Sequence, residues 1–389
     1  MKTVYLDHAA TSNVPAAVVD AMLPFYREYY GNASGNYSVA RHCRQKIETC
    51  RGYLAETIGA KADEIYFTSG GSEADNWAVK GIAEGYGRKG RHIITSNIEH
   101  PAVRNTCEYL KRHGCEITYL PVNEDGFVTP ESVEKAIRKD TILISIMFAN
   151  NEIGVIQPIE QIGKIAERHG IIFHVDAVQA YGQVPIHVGR ARIHLMSVSG
   201  HKFGSPKGIG FLYVREGTRL ESFMHGGSQE SGRRAGTENV AGIVGMTQAA
   251  RLAMDSLEKR QGQISEVRDY FVEQILQRIP YTKLNGTMEA RLPNNANICF
   301  KGISAHTLLG VLDQYGICAS GGSACSARLT EPSKVLLAVG LTKEEALASV
   351  RFTLGEENTK EDMDYVVRIL QDAVFRLRNS NKRGSHFWR

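Results

Sequence analysis

Two residues of this chain, Lys202 and Asp176, have the types and setting that carbonyl chemistry requires. Lys202 lies in the polar run 198–208, and Asp176 directly follows the apolar stretch 171–175. A lysine amine forms a Schiff base with an aldehyde cofactor, and a carboxylate at the end of a buried strand holds a pyridine nitrogen protonated. The pair therefore predicts a pyridoxal 5'-phosphate site. Taken singly, Lys202 would be interpreted as a solvated surface lysine, and Asp176 as a helix cap or an ion-pair partner.

A phosphate site is predicted upstream, where residues 67–73 have the pattern of a strand, a glycine turn and a helix start. Backbone N–H groups at that helix end, with the Ser72 hydroxyl, suit a phosphate. The alternative is an ordinary N-cap box of Ser72 with Asp75 or its neighbours. Ser199 and His201 flank Lys202 closely enough to contact the same phosphate, and Gln179 could donate to a phenolate oxygen.

Three further residues are candidates for chemistry on a substrate. His100, at a strand-to-helix junction, could stack on a planar cofactor and shuttle protons, or be structural. The chain has no His-Glu-x-x-His motif at His100, so we expect no metal site. Arg351 lies in an apolar strand pattern and needs an anion, either a substrate carboxylate or an internal salt bridge. The run 232–237 is consistent with a phosphate-facing loop or with a basic turn.

Cys325 has the setting of a reactive thiol. It lies among small residues in the run 319–328, which predicts a mobile, exposed loop. Free cysteines are otherwise mostly buried and inert. We interpret the remaining cysteines as structural or incidental: Cys43, Cys50, Cys107, Cys115, Cys299 and Cys318.

The elements that must position these residues alternate between strand and helix. Predicted strands cover residues 65–68, 92–96, 116–120, 141–148, 171–175, 194–199 and 208–214, and predicted helices cover 73–84, 102–112, 130–138 and 158–168. Such alternation predicts a mainly parallel sheet, which binds ligands beyond the carboxyl ends of its strands. A helical pattern over 239–278, broken near Gly262, a strand at 297–300 and a helix at 360–377 predict a smaller α+β lobe.

Composition narrows the function classes. The chain has 389 residues, of which 42% are hydrophobic and 23% charged, and a net charge of +4 that does not indicate nucleic-acid binding. Its seven cysteines form no Cys-x-x-Cys pair, which argues against a disulfide framework and a thiolate zinc site. Neither a signal peptide nor an apolar run of about 20 residues is present, so we expect a cytoplasmic protein without membrane attachment.

Taken together, these runs resemble cysteine desulfurases of the NifS/IscS type, which are class V, fold-type I pyridoxal phosphate enzymes. The resemblance implies an α/β fold with a large cofactor-binding domain (15–257) around a mainly parallel seven-stranded sheet. A smaller α+β domain (1–14 and 258–389) would carry the catalytic cysteine loop. Besides Cys325 and the lysine and aspartate runs, the matching segments cover residues 5–11, 68–76, 99–101, 150–154, 226–230, 234–239, 322–325 and 351–355.

The resemblance also implies residue roles. Lys202, Cys325 and His100 would be catalytic, Asn151 and Arg351 would bind the substrate carboxylate, and no residue would hold a metal. The residues implied to bind the cofactor are Gly71, Ser72, His100, Asn151, Asp176, Gln179, Ser199, His201, Lys202 and, from the partner subunit of a homodimer, Thr237.

The implied activity converts L-cysteine to L-alanine and leaves the sulfur on Cys325 as a persulfide. The acceptor would be an iron–sulfur scaffold or a tRNA-thiolation enzyme, and a selenocysteine lyase or another class V aminotransferase remains the alternative. This chain departs from the family pattern at two places, which bear on the substrate that it prefers and on the partner that it binds. The run 31–37 lacks the histidine that relatives often have there, and the chain ends soon after Arg378.

Overall fold

A computed structural model describes residues 3–321 and 331–384 of the chain. The strands among these residues are, in chain order, β1 (Val4–Tyr5), β2 (Ile65–Thr68), β3 (His92–Ser96), β4 (Glu116–Leu120), β5 (Thr141–Ser145), β6 (Ile172–Asp176), β7 (Leu195–Ser199), β8 (Gly210–Val214), β9 (Thr282–Leu284), β10 (Asn295–Phe300), β11 (Ile317–Cys318) and β12 (Ser349–Thr353).

The α-helices alternate with these strands in the first part of the chain. They are α1 (Ala16–Met22), α2 (Pro24–Arg27), α3 (Ser38–Glu56), α4 (Gly71–Gly85), α5 (Pro101–Arg112), α6 (Pro130–Ala136), α7 (Ile159–His169), α8 (Val240–Asp255), α9 (Leu257–Arg278), α10 (Ala305–Gln314), α11 (Lys334–Ala338), α12 (Lys343–Leu347) and α13 (Lys360–Gly384). Every helix within the described ranges is too short or too polar to span a bilayer.

The central sheet has seven strands in the order β2-β8-β7-β6-β5-β3-β4. Strands β7, β6, β5, β3 and β4 are mutually parallel, and β8 runs antiparallel to both β7 and β2. The prediction of a mainly parallel seven-stranded sheet is therefore confirmed. This topology brings the carboxyl ends of β2, β3, β5, β6 and β7 to one edge of the sheet.

Both faces of the sheet are covered, because its inner strands are apolar and β-branched on both sides. All residues of β3, β5, β6 and β7 are buried. On one face Phe173 packs in a core with residues of α3, α7 and α8, and on the other Leu195 packs with Trp77 of α4 and Val103 of α5. The strand ends are consequently held by packing on both sides, which makes them a rigid support for a site.

A separate hydrophobic core forms around the later elements. It includes Phe271 of α9, Phe300 of β10, Phe352 of β12 and Leu370 of α13. Strand β1 pairs with β11, and Val4 packs in this second core. The N-terminal strand thus belongs to the smaller lobe, whereas the exact domain limits at residues 14/15 and 257/258 stay a prediction.

The predicted break in the helix over 239–278 is wrong in position. The chain leaves the helical conformation at Ser256, between α8 and α9, and Gly262 lies inside α9. A glycine costs a helix only about 1 kcal/mol, which packing of a neighbouring face can offset. Gly262 is exposed with no side-chain neighbour at its Cα, whereas α9 packs along α13, so the helix continues through it.

Candidate functional site

Most of the site residues predicted from the sequence line one cavity of about 400 Å³ at the carboxyl edge of the sheet. They come from the turn after β2, the loop after β3, the loop after β5 and the ends of β6 and β7, except for Arg351, which lies within β12. The predicted residues found there are Gly71, Ser72, His100, Asn151, Asp176, Gln179, Ser199, His201, Lys202 and Arg351.

Of the two other predicted site residues, one lies away from this cavity and the other falls outside the part of the chain that the structure describes. Thr237 is exposed and does not line the cavity of its own chain. Cys325 lies outside the described residues. Both of their predicted roles therefore stay predictions.

One end of the cavity is built to hold an anion. Helix α4 begins after Gly70, which has a φ of 148°, and its first N–H groups receive no side-chain cap. A Cβ at Gly71 would lie 2.6 Å from Val178 Cγ2, so only glycine lets the backbone approach this closely. The alternative of a Ser72–Asp75 capping box is wrong, because Gly70 is the N-cap and the Asp75 side chain is buried. Free N–H groups at a helix start favour a phosphate-like ligand.

An ion pair that the sequence did not reveal lies beside this helix start. Arg234 donates two hydrogen bonds to the Glu73 carboxylate, at 2.7 and 3.0 Å, and Glu73 also accepts from the Ser69 N–H at 2.8 Å. The pair neutralises a carboxylate that would otherwise repel an anion. The run 232–237 is predicted to be a phosphate-facing loop or a basic turn. Its Arg234 lies at the anion end of the cavity, where it acts through the Glu73 carboxylate.

His100 and Asp176 face each other inside the cavity. The His100 Nδ1 accepts the Ala102 N–H at 3.1 Å, so the neutral ring carries its proton on Nε2. Burial lowers the pKa of His100, and the nearby Asp176 opposes that shift while Lys202 adds to it. Burial raises the pKa of Asp176, against which His100, the Val178 N–H and Lys202 act. Asp176 is therefore a buried carboxyl whose ionised form requires positive or N–H partners.

A second buried acid, Asp75, lies directly behind Asp176. Burial, with the Asp176 charge next, raises the pKa of Asp75 well above its ordinary value. Its Oδ1 has no hydrogen-bond partner within the described residues, whereas Asp176 accepts the Val178 N–H. Burial therefore disfavours the ionised form of Asp75, although a hydrogen bond with Ser197 lowers its pKa. His174 lies 3.6 Å away, but burial lowers the pKa of His174 to about 3, so no ion pair forms at neutral pH.

Glu99 fixes the loop that presents His100. Its Oε1 accepts the Ser96 hydroxyl at 2.5 Å and the Met147 N–H at 3.1 Å, which ties the ends of β3 and β5 together. Burial raises the pKa of Glu99 to about 8. Glu99 is therefore a neutral acid at neutral pH, and its role is to support its neighbour.

Replacing Glu99 with glutamine should flatten the pH dependence of folding. The pKa of Glu99 rises from 4.5 to about 8 on burial, so the neutral acid stabilises the fold at low pH and that stabilisation is lost as the pH rises towards 8. Relative to Glu99→Gln, the wild type should lose on the order of 3 kcal/mol of unfolding free energy between about pH 5 and pH 8. Urea unfolding across this range measures it, with exposed Glu131→Gln as the control. Parallel curves for wild type and Glu99→Gln would contradict the assignment.

The Lys202 amine is held by backbone carbonyls from the N-terminal segment. Its Nζ donates to the Ala9 oxygen at 2.6 Å and to the Ala10 oxygen at 2.9 Å. The Gln179 Nε2 donates to the same Ala9 oxygen at 3.0 Å. The N-terminal segment, which the sequence placed near the small lobe without a role in the site, therefore forms one wall of the cavity.

His201 also contacts this segment. Its Nδ1 lies 3.2 Å from the Thr11 hydroxyl. Burial, together with Lys202 and Lys207, lowers the pKa of His201 to about 4, so its ring is neutral. A neutral ring binds a phosphate through an N–H hydrogen bond, with no ionic contribution.

Arg351 presents a guanidinium to the cavity from β12. Its Nη2 lies 2.7 Å from the Asp7 carboxylate, and its Nη1 donates to the Asn151 carbonyl at 2.9 Å. The buried Nε has no hydrogen-bond partner within the described ranges. The predicted alternative of an internal salt bridge is therefore present, and the Nε–H is among the donors that remain for a ligand carboxylate.

One ligand atom each from Asp75, His100 and Asp176 lie within 4.8 Å of one another, which is close enough to hold a cation. No metal site was predicted at these positions. The same cluster also suits a cationic ring N–H, since the buried Asp176 carboxyl can accept a hydrogen bond and lines a cavity of about 400 Å³. The groups together offer an anion cradle, a carboxyl for a cation, an amine and a guanidinium for a carboxylate.

Comparison with known proteins gives full-length matches. The family model described as aminotransferase class-V matches residues 4–366. A protein of Dictyoglomus turgidum named cysteine desulfurase IscS is 49% identical over 97% of this chain and 96% of that relative.

Solved structures agree in fold. A structure titled NIFS-like protein has a TM-score of 0.91 and 35% identity, and the match covers 97% of this chain and all of that one. Another, titled SspA in complex with cysteine, has a TM-score of 0.81 and 36% identity, with coverage of 92% and 100%. Both solved structures therefore share the overall fold of the present chain.

Proposed function

The chain belongs to the aminotransferase class-V family, and we propose that it is a cysteine desulfurase that converts L-cysteine to L-alanine. The observation that supports this most is the joint presence of Lys202, Asp176, His100 and Arg351 around one cavity. These groups match an amino-acid substrate, which offers an amine and a carboxylate about one carbon apart. The relative from Dictyoglomus turgidum carries the same activity in its name.

Pyridoxal 5'-phosphate is the cofactor we propose for this cavity. Three features fit it: the uncapped start of α4 for the phosphate, the close approach at Gly71 that a Cβ would block, and the buried Asp176 carboxyl for the ring nitrogen. We assign the phosphate to Gly71, Ser72, Ser199 and His201, the ring to the remaining cavity residues His100, Asn151, Asp176 and Gln179, and the aldehyde to Lys202. When bound, the cofactor supplies an electron sink for bond changes at the substrate α-carbon.

The chain's own residues supply the proton movements. The Lys202 Nζ lies between two carbonyl oxygens, so its position is fixed while it takes a proton from the α-carbon and returns one. The His100 Nε2–H is a hydrogen-bond donor inside the cavity, because Nδ1 is already occupied. Arg351 holds the substrate carboxylate, with Asn151 beside it, and thereby orients the α-carbon towards Lys202.

The substrate sulfur is transferred to the thiol of Cys325, which we propose as the acceptor. Its thiolate attacks the cysteine sulfur, the substrate Cβ–S bond breaks as the S–S bond forms, and the electron pair stays on the substrate carbon. L-cysteine and the enzyme thiol then give L-alanine and an enzyme persulfide. The equation balances without an external oxidant or reductant.

A homodimer completes the proposal. Thr237 is exposed and away from the cavity of its own chain, so a contribution from Thr237 to a phosphate requires a second copy. The persulfide would pass to an iron–sulfur scaffold or to a tRNA-thiolation enzyme, and the two acceptors remain open.

The function is tested by product analysis. Purified protein loaded with pyridoxal phosphate is incubated with L-cysteine and a thiol reductant, and alanine and sulfide are measured together. Equal molar amounts are expected, since each turnover releases one of each. A keto acid in place of alanine would instead indicate transamination, and selenide release restricted to selenocysteine would indicate a lyase for that substrate.

A further inference from the structure

The segment of residues 7–11 contacts the predicted site at several points, and its acidic side chain reaches Arg351. Asp7 Oδ1 lies 2.7 Å from Arg351 Nη2. The backbone around Asp7 is fixed on both sides. The Tyr5 hydroxyl donates to the Asp7 carbonyl at 3.1 Å, and Asp7 forms a bridge with Thr353 of β12.

The guanidinium of Arg351 is held at two of its three nitrogens. Asp7 accepts from Nη2, and the Asn151 carbonyl accepts from Nη1 at 2.9 Å. Because the guanidinium is planar, fixing two nitrogens fixes the direction of the third N–H. That third nitrogen, Nε, is buried and has no hydrogen-bond partner in the described part of the chain.

We propose that Asp7 is the positioning residue that orients Arg351 for the carboxylate of an amino-acid substrate. The proposal rests on the function proposed above. Asp7 does not line the cavity, so it acts on the substrate only through Arg351. The geometry leaves the Nε–H, and the second N–H of Nη2, for a ligand carboxylate.

A second acid near Arg351 has a different role. Burial raises the pKa of Glu152, although Ser333 and Arg351 lower it, and its Oε2 accepts the Ser333 hydroxyl at 2.5 Å. Glu152 is thereby engaged with the start of α11. Asp7, which is 18% exposed against 1% for Arg351, is the carboxylate in direct contact with the guanidinium.

A positioning role of Asp7 and a simple counter-ion role predict opposite changes in substrate binding when the Asp7 carboxylate is removed. A counter-ion competes with the substrate carboxylate, so removing its charge would tighten binding. A positioning residue orients the donor, so removing its oxygen weakens binding. The amide of Asp7→Asn keeps an oxygen that accepts from Nη2, whereas Asp7→Ala keeps none.

The test uses the holoenzyme and two matched inhibitors, S-methyl-L-cysteine and S-methylcysteamine, which differ only in the carboxylate. In Asp7→Ala we expect KM for L-cysteine and the inhibition constant of S-methyl-L-cysteine to rise about tenfold. The inhibition constant of S-methylcysteamine should stay unchanged, and kcat should change by less than about threefold. Asp7→Asn should restore binding to within about threefold of the wild type.

Tyr5→Phe is the control, because it removes the hydroxyl that anchors the segment and leaves the Asp7 carboxylate in place. Equal weakening of both inhibitors, tighter binding in Asp7→Ala, or the same KM rise in Tyr5→Phe would each overturn the proposal. If Asp7→Ala does not fold, a weakening of two- to threefold in Asp7→Asn limited to the carboxylate inhibitor still decides it. A wild type that makes no alanine or sulfide would contradict the proposed function instead, and inhibitor binding would remain measurable.

Discussion

Replacing Lys202 with alanine should reduce desulfuration by roughly 10⁴-fold, because the variant lacks the amine that we propose as the group that moves the proton at the α-carbon. The Lys202 Nζ reaches the cavity from the end of β7 and is fixed by the Ala9 and Ala10 carbonyls. The variant should also lose covalent attachment of pyridoxal phosphate. Borohydride reduction followed by mass analysis of the peptide that contains residue 202 measures attachment, and alanine formation measures turnover.

Lys207 is the matched control for this experiment. It lines the same cavity only five residues further along the chain, but it is exposed and lies beyond the end of the short helical turn Gly200–Lys202. Lys207→Ala should keep the cofactor on the residue 202 peptide. A reduced adduct on Lys207 in the Lys202→Ala protein, with turnover retained, would show that the amine has been assigned to the wrong residue.

The electrostatic balance of the cavity supports this assignment of the amine. Burial raises the pKa of Asp75 and Glu99 and lowers the pKa of His100, His174 and His201, so it disfavours the charged form of all five groups. Arg351 pairs with Asp7 and Arg234 pairs with Glu73. Besides the exposed Lys207, the remaining charged groups that line the cavity are Asp176 and Lys202. Once the amine is used in chemistry, Asp176 needs another cation, and a protonated ring nitrogen meets that need.

The sheet was predictable because its strands carry continuous apolar, β-branched runs that are buried on both faces. Residues 172–176 show this, since an apolar run ends in a polar residue at the strand terminus and thereby indicates both the strand and the site. The edge at which Ser72, His100, Asn151, Asp176 and Lys202 meet follows from parallel topology alone. Placing these residues at one edge did not require the prediction of any contact between residues distant in the sequence.

The supporting residues were not predictable in the same way. Asp7 contacts Arg351 across 344 positions and Ala9 contacts Lys202 across 193, and no local pattern encodes a pairing at such a distance. The sequence analysis includes Asp75 only in an alternative, as a capping partner of Ser72, although Asp75 occupies the apolar face of α4 between Ala74 and Ala78. An acidic residue on the apolar face of a predicted helix can indicate a functional site, because burial of an ionised carboxylate is costly.

The second large effect is expected from replacing the cysteine whose thiol accepts the sulfur. Each of the six cysteines in the described part of the chain has a pKa raised by burial, and none of the six lines the cavity. For Cys107 the pKa reaches about 12. A thiol with a raised pKa provides little thiolate at neutral pH. These observations support our proposal, which comes from the family resemblance, that Cys325 is the sulfur acceptor.

Cys325→Ser should therefore lower sulfide and alanine release at least about 10³-fold while the protein still binds pyridoxal phosphate and L-cysteine. The serine hydroxyl does not form a sulfur–sulfur bond, so no persulfide accumulates on the variant. Radiolabelled sulfur from cysteine, retained on the protein without reductant, measures the persulfide directly. Cys318→Ser is the control, because Cys318 is the partly buried cysteine of β11 beside Tyr5 and should leave labelling unchanged. Labelling of Cys325→Ser at the wild-type level, abolished only by Cys318→Ser, would move the acceptor role to β11.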